Sequence, residues 1–340
     1  MRKGSVSVMN DFQTLLNSFF VKYLAVERGL SENTSKNYRD TFIQLLQFME
    51  EVQHISPSKI QMENFDCNII NEFLDWLETK KQVSVSTRNN RLAGIKSFFQ
   101  YVIRHEPKYI SRCSGIISIP SKKTIHKPMN YMTISAFELF LSAFDRKTKE
   151  GIRDLSIISL LYDSGARVSE LTNIRRFELR DTLPATLVLH GKGGKSRIVP
   201  VDKSIAAILS MYIQLYDIRQ EEYLFFNSKR QKLTRKGIGY ILEKYFARAK
   251  ALSPESFPDT ISPHCIRHSR AMHLLENGVN LIYIRDLLGH SSVTTTEIYS
   301  KANPEIKRKH IQDATNQLID SEDYSKEAKD DLMEWLKNNI

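Results

Sequence analysis

The sequence contains little cysteine and no long apolar run. Its three cysteines, Cys67, Cys113 and Cys265, stand far apart and form no C-x-x-C pair. Because disulfide frameworks use even numbers of cysteines and zinc sites use closely spaced ones, neither is indicated. No apolar stretch reaches the roughly 18 residues of a membrane helix, and no signal-like segment opens the chain. We therefore expect a cytoplasmic protein without a membrane partner.

Motifs for nucleotide or metal cofactors are also lacking. Gly194-Lys195-Ser196 matches the end of a Walker A phosphate loop, but Leu189 stands where that motif requires glycine. The strand-like residues Ile198 and Val199 follow, where the helix of a Walker A motif would begin. No cluster of carboxylates matches a two-metal nuclease. The sequence thus predicts neither a bound metal nor a cofactor.

The chain has a basic excess that is unevenly distributed. Its formal charge is +10, from 49 Lys and Arg residues against 39 Asp and Glu. Between residues 84 and 130 nine basic residues face one acidic residue, whereas between 313 and 340 eight acids face three lysines. Lys and Arg that neutralise phosphates gain affinity by releasing counterions. The middle of the chain is therefore where we expect a polyanion to bind, although charge for solubility alone explains the total equally well.

Residues 1–106 are expected to form a helical N-terminal domain. Apolar residues recur there at helical spacing from about Asn10 to His105. The fourth of these helices, from about Ser86 to Arg104, alternates an apolar face with a basic face. The candidate DNA contacts are basic residues of this helix, of the stretch after it and of a later hairpin: Arg88, Arg91, Lys96, Lys122, Lys123, Lys195 and Arg197. A solvated surface helix is the simpler alternative.

A basic stretch with three prolines, residues 107–130, is expected to be a helix-poor linker. Residues 131–310 should form a second, mainly helical domain, and residues 311–340 an acidic tail or helix. Within the second domain the segments 186–190 and 196–201 flank a glycine-rich turn, which is typical of a β-hairpin. The expected fold class is therefore mainly α with a small β-sheet.

A helix start is predicted at Ser262-Pro263, because serine is a good N-cap and proline suits the first helical position. His264 and Arg267 would then share one face near the helix N-terminus, where an anion is stabilised. The helix should stop at Asn277-Gly278. Upstream, Arg167 lies between a helix end and a new helix, a place where a surface or salt-bridge role is the usual one.

Five motifs, taken together, indicate a function for Arg167, His264 and Arg267. They are Gly-Ala-Arg-Val-Ser-Glu-Leu at 165–171, Gly-Lys-Gly at 191–193, His264-x-x-Arg267, Leu288-Gly289-His290 and Tyr299. His-x-x-Arg alone is frequent by chance, but the five motifs in this order and spacing resemble the catalytic domain of the tyrosine recombinases. The N-terminal helices resemble that family's core-binding, SAM-like DNA-binding domain. The resemblance therefore covers essentially the whole chain.

The resemblance implies catalytic roles for six residues: Arg167, Lys192, His264, Arg267, His290 and Tyr299. Tyr299 would attack a DNA phosphodiester while Arg167 and Arg267 clamp its non-bridging oxygens. His264 would donate a hydrogen bond to the phosphate and help move the tyrosine proton, and His290 would orient the same phosphate.

By the same resemblance, Lys192 would be the general acid for the 5′-hydroxyl leaving group. Lys195 is its rival for that role. The phosphotyrosyl bond would conserve the energy of the broken phosphodiester, so that rejoining needs neither ATP nor metal.

Several conspicuous residues are expected to pack the interior rather than act in catalysis. They are Cys265, His268, His273, Tyr162, Tyr283, Trp76 and Trp335. Cys265 beside His264 suggests a thiol nucleophile, but a cysteine in this helix more often packs as a small apolar residue.

The resemblance implies a site-specific recombinase that acts on double-stranded DNA as a homotetramer, alone or with related recombinases or accessory factors. The acidic tail favours the integrase or transposase of a mobile genetic element. An apolar stripe on that tail, Ala328, Leu332, Trp335 and Leu336, suits docking on a neighbouring subunit or on its own domain. A Xer-type chromosome-dimer resolvase, a type IB topoisomerase-like enzyme and a non-catalytic DNA-binding protein are the open alternatives.

Overall fold

A computed structural model describes residues 11–29, 32–124, 129–290 and 292–302. The chain divides into two compact units, residues 1–127 and 128–340. Within the described ranges no helix is long and apolar enough to cross a membrane. The predicted tail at 311–340, with its apolar stripe, lies outside the described residues.

The first unit is built from helices. They are α1 (Asp11–Ser18), which continues as a π-helix over Phe19–Glu27, α2 (Glu32–Glu51), α3 (Cys67–Thr79), α4 (Val85–His105) and α5 (Ile110–Ser118). Side chains define two helix starts. Asp66 accepts hydrogen bonds from the N–H groups of Asn68 and Ile69, each at 2.9 Å, and Ser84 accepts from the N–H of Thr87 at 3.2 Å.

Aromatic rings dominate the core of the first unit. The ring of Phe98, on α4, packs edge-on against rings from the first helices: Phe12, Phe19 and Phe42. Each such pair stabilises the fold by about 0.5–1.5 kcal/mol beyond its buried area. Trp76 is buried in the same core, as predicted.

Helix α5 occupies the stretch for which the sequence predicts a helix-poor linker, so that expectation is wrong for these residues. Its Cys113 and Ile116 are buried in the core of the first unit. Pro107 does not prevent this, because it starts a 3-10 turn at Pro107–Tyr109, where its missing N–H costs no hydrogen bond. The serines and lysines of the stretch concealed a short amphipathic helix.

The second unit is mainly helical with one small antiparallel sheet, which confirms the predicted fold class. Its helices are α6 (Ile134–Ser142), α7 (Lys149–Ser164), α8 (Val168–Leu171), α9 (Lys203–Tyr216), α10 (Arg235–Leu252), α11 (Pro263–Glu276), α12 (Leu281–Leu288) and α13 (Glu297–Ala302). The strands β1 (Leu179–Arg180), β2 (Thr186–His190) and β3 (Ser196–Pro200) pair in that order. Leu187, Leu189 and Val199 are buried, whereas Ile198 is exposed on the opposite face.

The predicted helix around His-x-x-Arg is confirmed. Helix α11 begins at Pro263, and the hydroxyl of Ser262 accepts the Cys265 N–H at 3.2 Å. Helix α12 begins after Asn280 and ends before Gly289, whose φ of 63° lies in the left-handed region.

Tyr283 is not in the core, so the packing role expected for it is wrong. Its side chain is 70% exposed. Helix α12 has eight residues and buries only Ile284 and Leu288, which are four residues apart on one face. Tyr162, by contrast, packs against the core of the second unit as expected.

Candidate active site

The C-terminal end of α12 gathers three arginines. Three consecutive carbonyls each accept from one guanidinium: Leu287 from Arg197 Nε at 2.8 Å, Leu288 from Arg267 Nη2 at 2.6 Å and Gly289 from Arg167 Nη2 at 3.3 Å. The last carbonyls of a helix lack partners within the helix and carry partial negative charge. This helix end therefore stabilises the three guanidiniums close together, against their mutual repulsion.

Arg267 lies deep in this cluster, with 4% of its surface exposed. Its Nη1 donates to the carbonyl of Gly165, where α7 ends. Burial, reinforced by the neighbouring Arg167, lowers the pKa of Arg267 to about 10. The guanidinium is still protonated at neutral pH, so the cluster keeps its cation inside the protein.

Glu170 links two of the arginines, and the sequence motifs assign it no role. Its carboxylate accepts from Arg167 Nη1 at 2.9 Å and from Arg197 Nη2 at 2.8 Å. Burial raises the pKa of Glu170, but the hydrogen bonds from Arg197 and Arg167 outweigh burial and hold the pKa below its ordinary value. Glu170 thereby fixes the direction of the Arg167 guanidinium. A local signal existed, because a glutamate three residues after a helix-capping position is typical of a capping box.

Two glycines with left-handed backbone allow the close packing around the arginines. A Cβ on Gly289 would lie 2.7 Å from Arg197 Nη1, and a Cβ on Gly165, whose φ is 57°, would lie 2.8 Å from Leu288 Cδ2. Glycine adopts this backbone region without steric cost. Gly289 therefore leaves room for the Arg197 guanidinium, and Gly165 leaves room for the Leu288 side chain.

Tyr299 lies on α13 and is 1% exposed. It belongs to an apolar cluster with Ala271, Met272, Ile284 and Leu288. Burial raises the pKa of Tyr299 above its ordinary value, and Arg267 and Arg167 oppose that rise. Tyr299 is thus a buried phenol whose surroundings include two cationic side chains.

His268, expected to be a packing residue, contacts the Tyr299 hydroxyl. Its Nδ1 lies 3.1 Å from the tyrosine oxygen. Burial, followed by the charges of His264 and Arg267, lowers the pKa of His268 to about 4, so the ring is neutral at neutral pH. Nothing in the local sequence indicates this contact, because it forms only where α13 packs on α11.

The two histidines predicted for the site differ in their surroundings. His264 is exposed in the first turn of α11, and partial desolvation, with Arg267 and Arg167, lowers its pKa. His290 follows α12, and its Nδ1 lies 3.1 Å from the Thr296 hydroxyl. Burial, then Arg267 and Arg167, lower the pKa of His290 to about 4. A neutral imidazole has one donor and one acceptor nitrogen, so only one nitrogen of each ring can donate to a phosphate oxygen.

The β2–β3 hairpin borders an open cleft of about 510 Å³, whose lining includes Arg167, Lys195 and His290. Lys195 is exposed immediately before β3. Lys192 lies in the turn between the strands, and its side chain is outside the described part of the structure. The structure therefore brings Lys195, Arg167 and His290 to one cleft.

Two family models match the chain, one in each compact unit. The model described as "Phage integrase, N-terminal SAM-like domain" matches residues 18–106, and the model described as "Phage integrase family" matches residues 130–305. The chain belongs to the phage integrase family. All six residues predicted to be catalytic lie within the second match.

Relatives of this integrase-family chain carry recombinase names. The putative integrase/recombinase y4rC of Sinorhizobium fredii is 36% identical over 293 residues, which are 86% of this chain and 88% of that protein. Tyrosine recombinase XerD of Listeria monocytogenes is 31% identical over 291 residues, 83% of this chain and 92% of XerD. The Tn1549 transposon integrase in complex with transposon right end DNA has a TM-score of 0.65 at 18% identity, covering 87% of this chain and 98% of that one, and so shares its fold.

In this family member Arg88 does not lie on the exposed basic face that the sequence predicts for α4. It is 5% exposed, and its Nε lies 3.7 Å from the Glu78 carboxylate. Lys122 Nζ pairs with the same carboxylate. The expected placement of Arg88 is wrong because helical periodicity does not reveal a half-buried acid supplied by α3. A DNA contact by Arg88 or Lys122 stays a prediction.

The other candidate DNA contacts of the first unit are more accessible. Arg91 is half-buried and donates to the Asn37 carbonyl at 3.0 Å. Lys96 is half-buried, and Lys123 is exposed. In the second unit Arg197 is engaged by the protein, as described above. DNA binding by these residues also stays a prediction.

Two of the expected packing roles in α11 are confirmed. Cys265 is 2% exposed, and burial raises the pKa of its thiol to about 11. His273 uses both ring nitrogens, Nδ1 with the Tyr162 hydroxyl and Nε2 with the Met132 carbonyl, each at 2.8 Å. Across the residues that the structure describes, no three His, Cys, Asp or Glu side chains are arranged to hold a metal ion.

Gly289→Ala is expected to lower the free energy of unfolding by about 1–3 kcal/mol. The added Cβ would meet Arg197 and occupy a backbone region that alanine rarely adopts. Urea-induced unfolding of the second unit measures the change. Gly239→Ala is the matched control, because Gly239 lies inside α10 with nothing within 4 Å of the added Cβ. We expect the Gly239→Ala variant to be up to about 1 kcal/mol more stable than wild type. Equal stabilities of the two variants would contradict the strain at Gly289.

Proposed function

We propose that this chain is a site-specific DNA recombinase that cuts and rejoins double-stranded DNA through a 3′-phosphotyrosyl bond to Tyr299. One observation carries the proposal: Arg167 and Arg267 are held at the end of α12, and Tyr299 shares an apolar cluster with Ile284 and Leu288 of the same helix. Membership of the phage integrase family is independent support.

The proposed cleavage exchanges one phosphoester bond for another. The Tyr299 oxygen gives up its proton through His264 and bonds to phosphorus, the bond from phosphorus to the 5′-oxygen breaks, and a lysine supplies the proton that this oxygen takes. We assign that proton to Lys192, with Lys195 as the rival. In the reverse step a 5′-hydroxyl attacks the phosphotyrosine and restores the DNA strand.

The phosphate is stabilised by groups that the structure gathers around α12. Negative charge develops on its non-bridging oxygens, and the planar guanidiniums of Arg167 and Arg267 present paired N–H donors to them. His264, on the exposed side of α11, donates to the phosphate and helps move the Tyr299 proton. His290 orients the same phosphate from the end of α12.

The proposed reaction needs neither ATP nor a metal ion. A phosphotyrosyl bond retains the energy of the phosphodiester that it replaces, so rejoining has no further energy requirement. The arginines neutralise the developing charge, which is the task of Mg²⁺ in two-metal nucleases.

We assign DNA binding to the core-binding domain predicted at 1–106, to the catalytic domain predicted at 131–310, and to the basic residues between α5 and the catalytic domain. The segment 311–340 is assigned to contacts between subunits. Phosphate contacts would make binding strongly dependent on salt. Two DNA sites, each bound by two subunits, give a homotetramer, alone or with related recombinases or accessory factors.

Among recombinases, we propose the integrase or transposase of a mobile genetic element. The relative y4rC, named a putative integrase/recombinase, supports this role. A chromosome-dimer resolvase is the second candidate, because relatives named XerC and XerD are 30% and 31% identical to this chain. Recombination assays with element ends and with a chromosomal dimer-resolution site distinguish the two roles.

A suicide duplex tests the proposed chemistry. The duplex carries the terminal sequence of the element and a nick near the cleavage position. After cleavage, the short fragment with the released 5′-hydroxyl diffuses away, so rejoining fails and the covalent intermediate accumulates. We expect a protein–DNA adduct on denaturing gels, in EDTA and without nucleotide, with the DNA attached to the peptide that contains Tyr299. If a tightly bound cognate duplex yields no adduct, the proposed function is wrong. An adduct that forms only with added metal would contradict the metal-free mechanism.

A further inference from the structure

The Tyr299 hydroxyl is hydrogen-bonded to a histidine that the proposed mechanism does not use. His268 Nδ1 lies 3.1 Å from the tyrosine oxygen, while the two ring centres are 5.7 Å apart and the ring planes are inclined by 58°. This geometry fits a hydrogen bond at the hydroxyl and not a stack of the two rings. The bond joins α11, which carries Arg267, to α13, which carries the nucleophile.

The positions along α11 separate His268 from His264. The two histidines are four residues apart and therefore share one side of the helix, with ring centres 6.3 Å apart. His264 is exposed, whereas His268 is partly buried and faces Tyr299. An incoming phosphate would thus meet His264, while His268 contacts the nucleophile.

We propose that His268 is a positioning residue for the nucleophile: its Nδ1 accepts the hydrogen bond of the Tyr299 hydroxyl and fixes the rotation of that hydroxyl. This inference rests on the proposed function, because it concerns the reaction at Tyr299. An attacking phenol must direct an oxygen lone pair at phosphorus, and a freely rotating hydroxyl does so only part of the time. Holding the O–H bond toward His268 turns the lone pairs away from the imidazole and leaves them available for attack.

His268 does not take the proton from the tyrosine in this arrangement. Burial, then the charges of His264 and Arg267, lower the pKa of His268 to about 4, whereas burial raises the pKa of Tyr299 above its ordinary value of 10.0. A weakly basic imidazole beside a weakly acidic phenol leaves the proton on the tyrosine oxygen. The hydrogen bond therefore orients the phenol without ionising it.

Two substitutions separate orientation from proton transfer. Asparagine places an amide oxygen near the position of Nδ1 and accepts the same hydrogen bond, but it cannot carry a proton. Leucine keeps the volume and removes the acceptor. With the full-length protein and the suicide duplex, we expect His268→Leu to slow single-turnover adduct formation by about 10- to 100-fold, and His268→Asn to stay within about threefold of wild type. DNA affinity should be the same for all three proteins.

Two results would overturn the inference. If His268→Asn is as slow as His268→Leu and loses a limb of the wild-type pH–rate profile, His268 accepts the proton. If His268→Leu reacts as fast as wild type, the contact contributes nothing to the nucleophile. If the inference is right, His268→Asn keeps the wild-type pH–rate profile, because an imidazole that only accepts a hydrogen bond does not titrate during the reaction.

His273 supplies the matched control on the same helix. Its Nδ1 also contacts a tyrosine hydroxyl, that of Tyr162 at 2.8 Å, but Tyr162 has no role in the proposed reaction. We expect His273→Asn to lower the Tm and to leave the adduct rate of the folded protein unchanged. Equal slowing by His268→Leu and His273→Asn would reveal a general loosening of α11 and reject the inference. A wild-type protein that forms no adduct would reject the proposed function instead.

Discussion

Tyr299→Phe is expected to abolish adduct formation and strand exchange while leaving DNA binding intact. Phenylalanine lacks the oxygen that bonds to phosphorus, and removal of a nucleophile lowers a rate by at least about four orders of magnitude. The ring is 1% exposed within an apolar cluster, so phenylalanine fills the same space. The loss of the hydrogen bond to His268 should lower the free energy of unfolding by about 0.5–1.5 kcal/mol. Denaturing gels measure the adduct, and gel shifts measure binding.

Tyr162→Phe is the matched control for this experiment. Tyr162 is also bonded to a histidine of α11, His273, and it loses the same kind of hydrogen bond on substitution. We expect wild-type adduct yields from Tyr162→Phe. An adduct that persists in Tyr299→Phe would place the nucleophile at another residue and remove the central assignment of the proposal.

Local rules explain why the region of α11 was predictable. A serine N-cap followed by proline defines a helix start within a few residues, and the start at Pro263 is where the rule places it. The left-handed Gly289 at the end of α12 follows from a similarly local rule. Spacing then put His264 and Arg267 on one face, without any knowledge of the tertiary structure.

Contacts between distant residues were not predictable in the same way. Glu170 bonds to Arg197, 27 residues away, and His268 bonds to Tyr299, 31 residues away. Each residue type is visible in the sequence, but its partner is determined by which helices and strands pack together. The sequence around His268 therefore does not distinguish it from a histidine that only packs the interior, because its partner is on α13.

Exposure of single residues also depends on neighbours that periodicity does not identify. Arg88 has the spacing of a surface arginine, yet Glu78 on α3 offers a charge partner and Arg88 is buried. Tyr283 lies in an apolar pattern, yet α12 buries only the face of Ile284 and Leu288, so the Tyr283 ring is exposed. Periodicity predicted α4 and α12 correctly and left these two side chains undetermined.

Arg267→Lys is expected to slow adduct formation by about 100- to 1000-fold although it preserves the charge. A guanidinium has five N–H donors, and two are used by the carbonyls of Gly165 and Leu288, which leaves three in fixed directions for a phosphate. Lysine has three donors on one atom and cannot reach both carbonyls and the phosphate together. At this buried position a carbonyl that loses its donor should cost about 1–3 kcal/mol in the free energy of unfolding.

Arg270→Lys, on the same helix, is the control for this substitution. Arg270 Nη2 donates to one carboxylate oxygen of Asp163 at 3.0 Å, a contact that the lysine ammonium can also make. With DNA at saturating concentration, we expect its adduct rate within about threefold of wild type. A wild-type rate for Arg267→Lys would show that a point charge suffices, and the forked geometry held by the end of α12 would then have no part in catalysis. Equal slowing by both lysine variants would mean that α11 needs arginine for packing and not for the reaction.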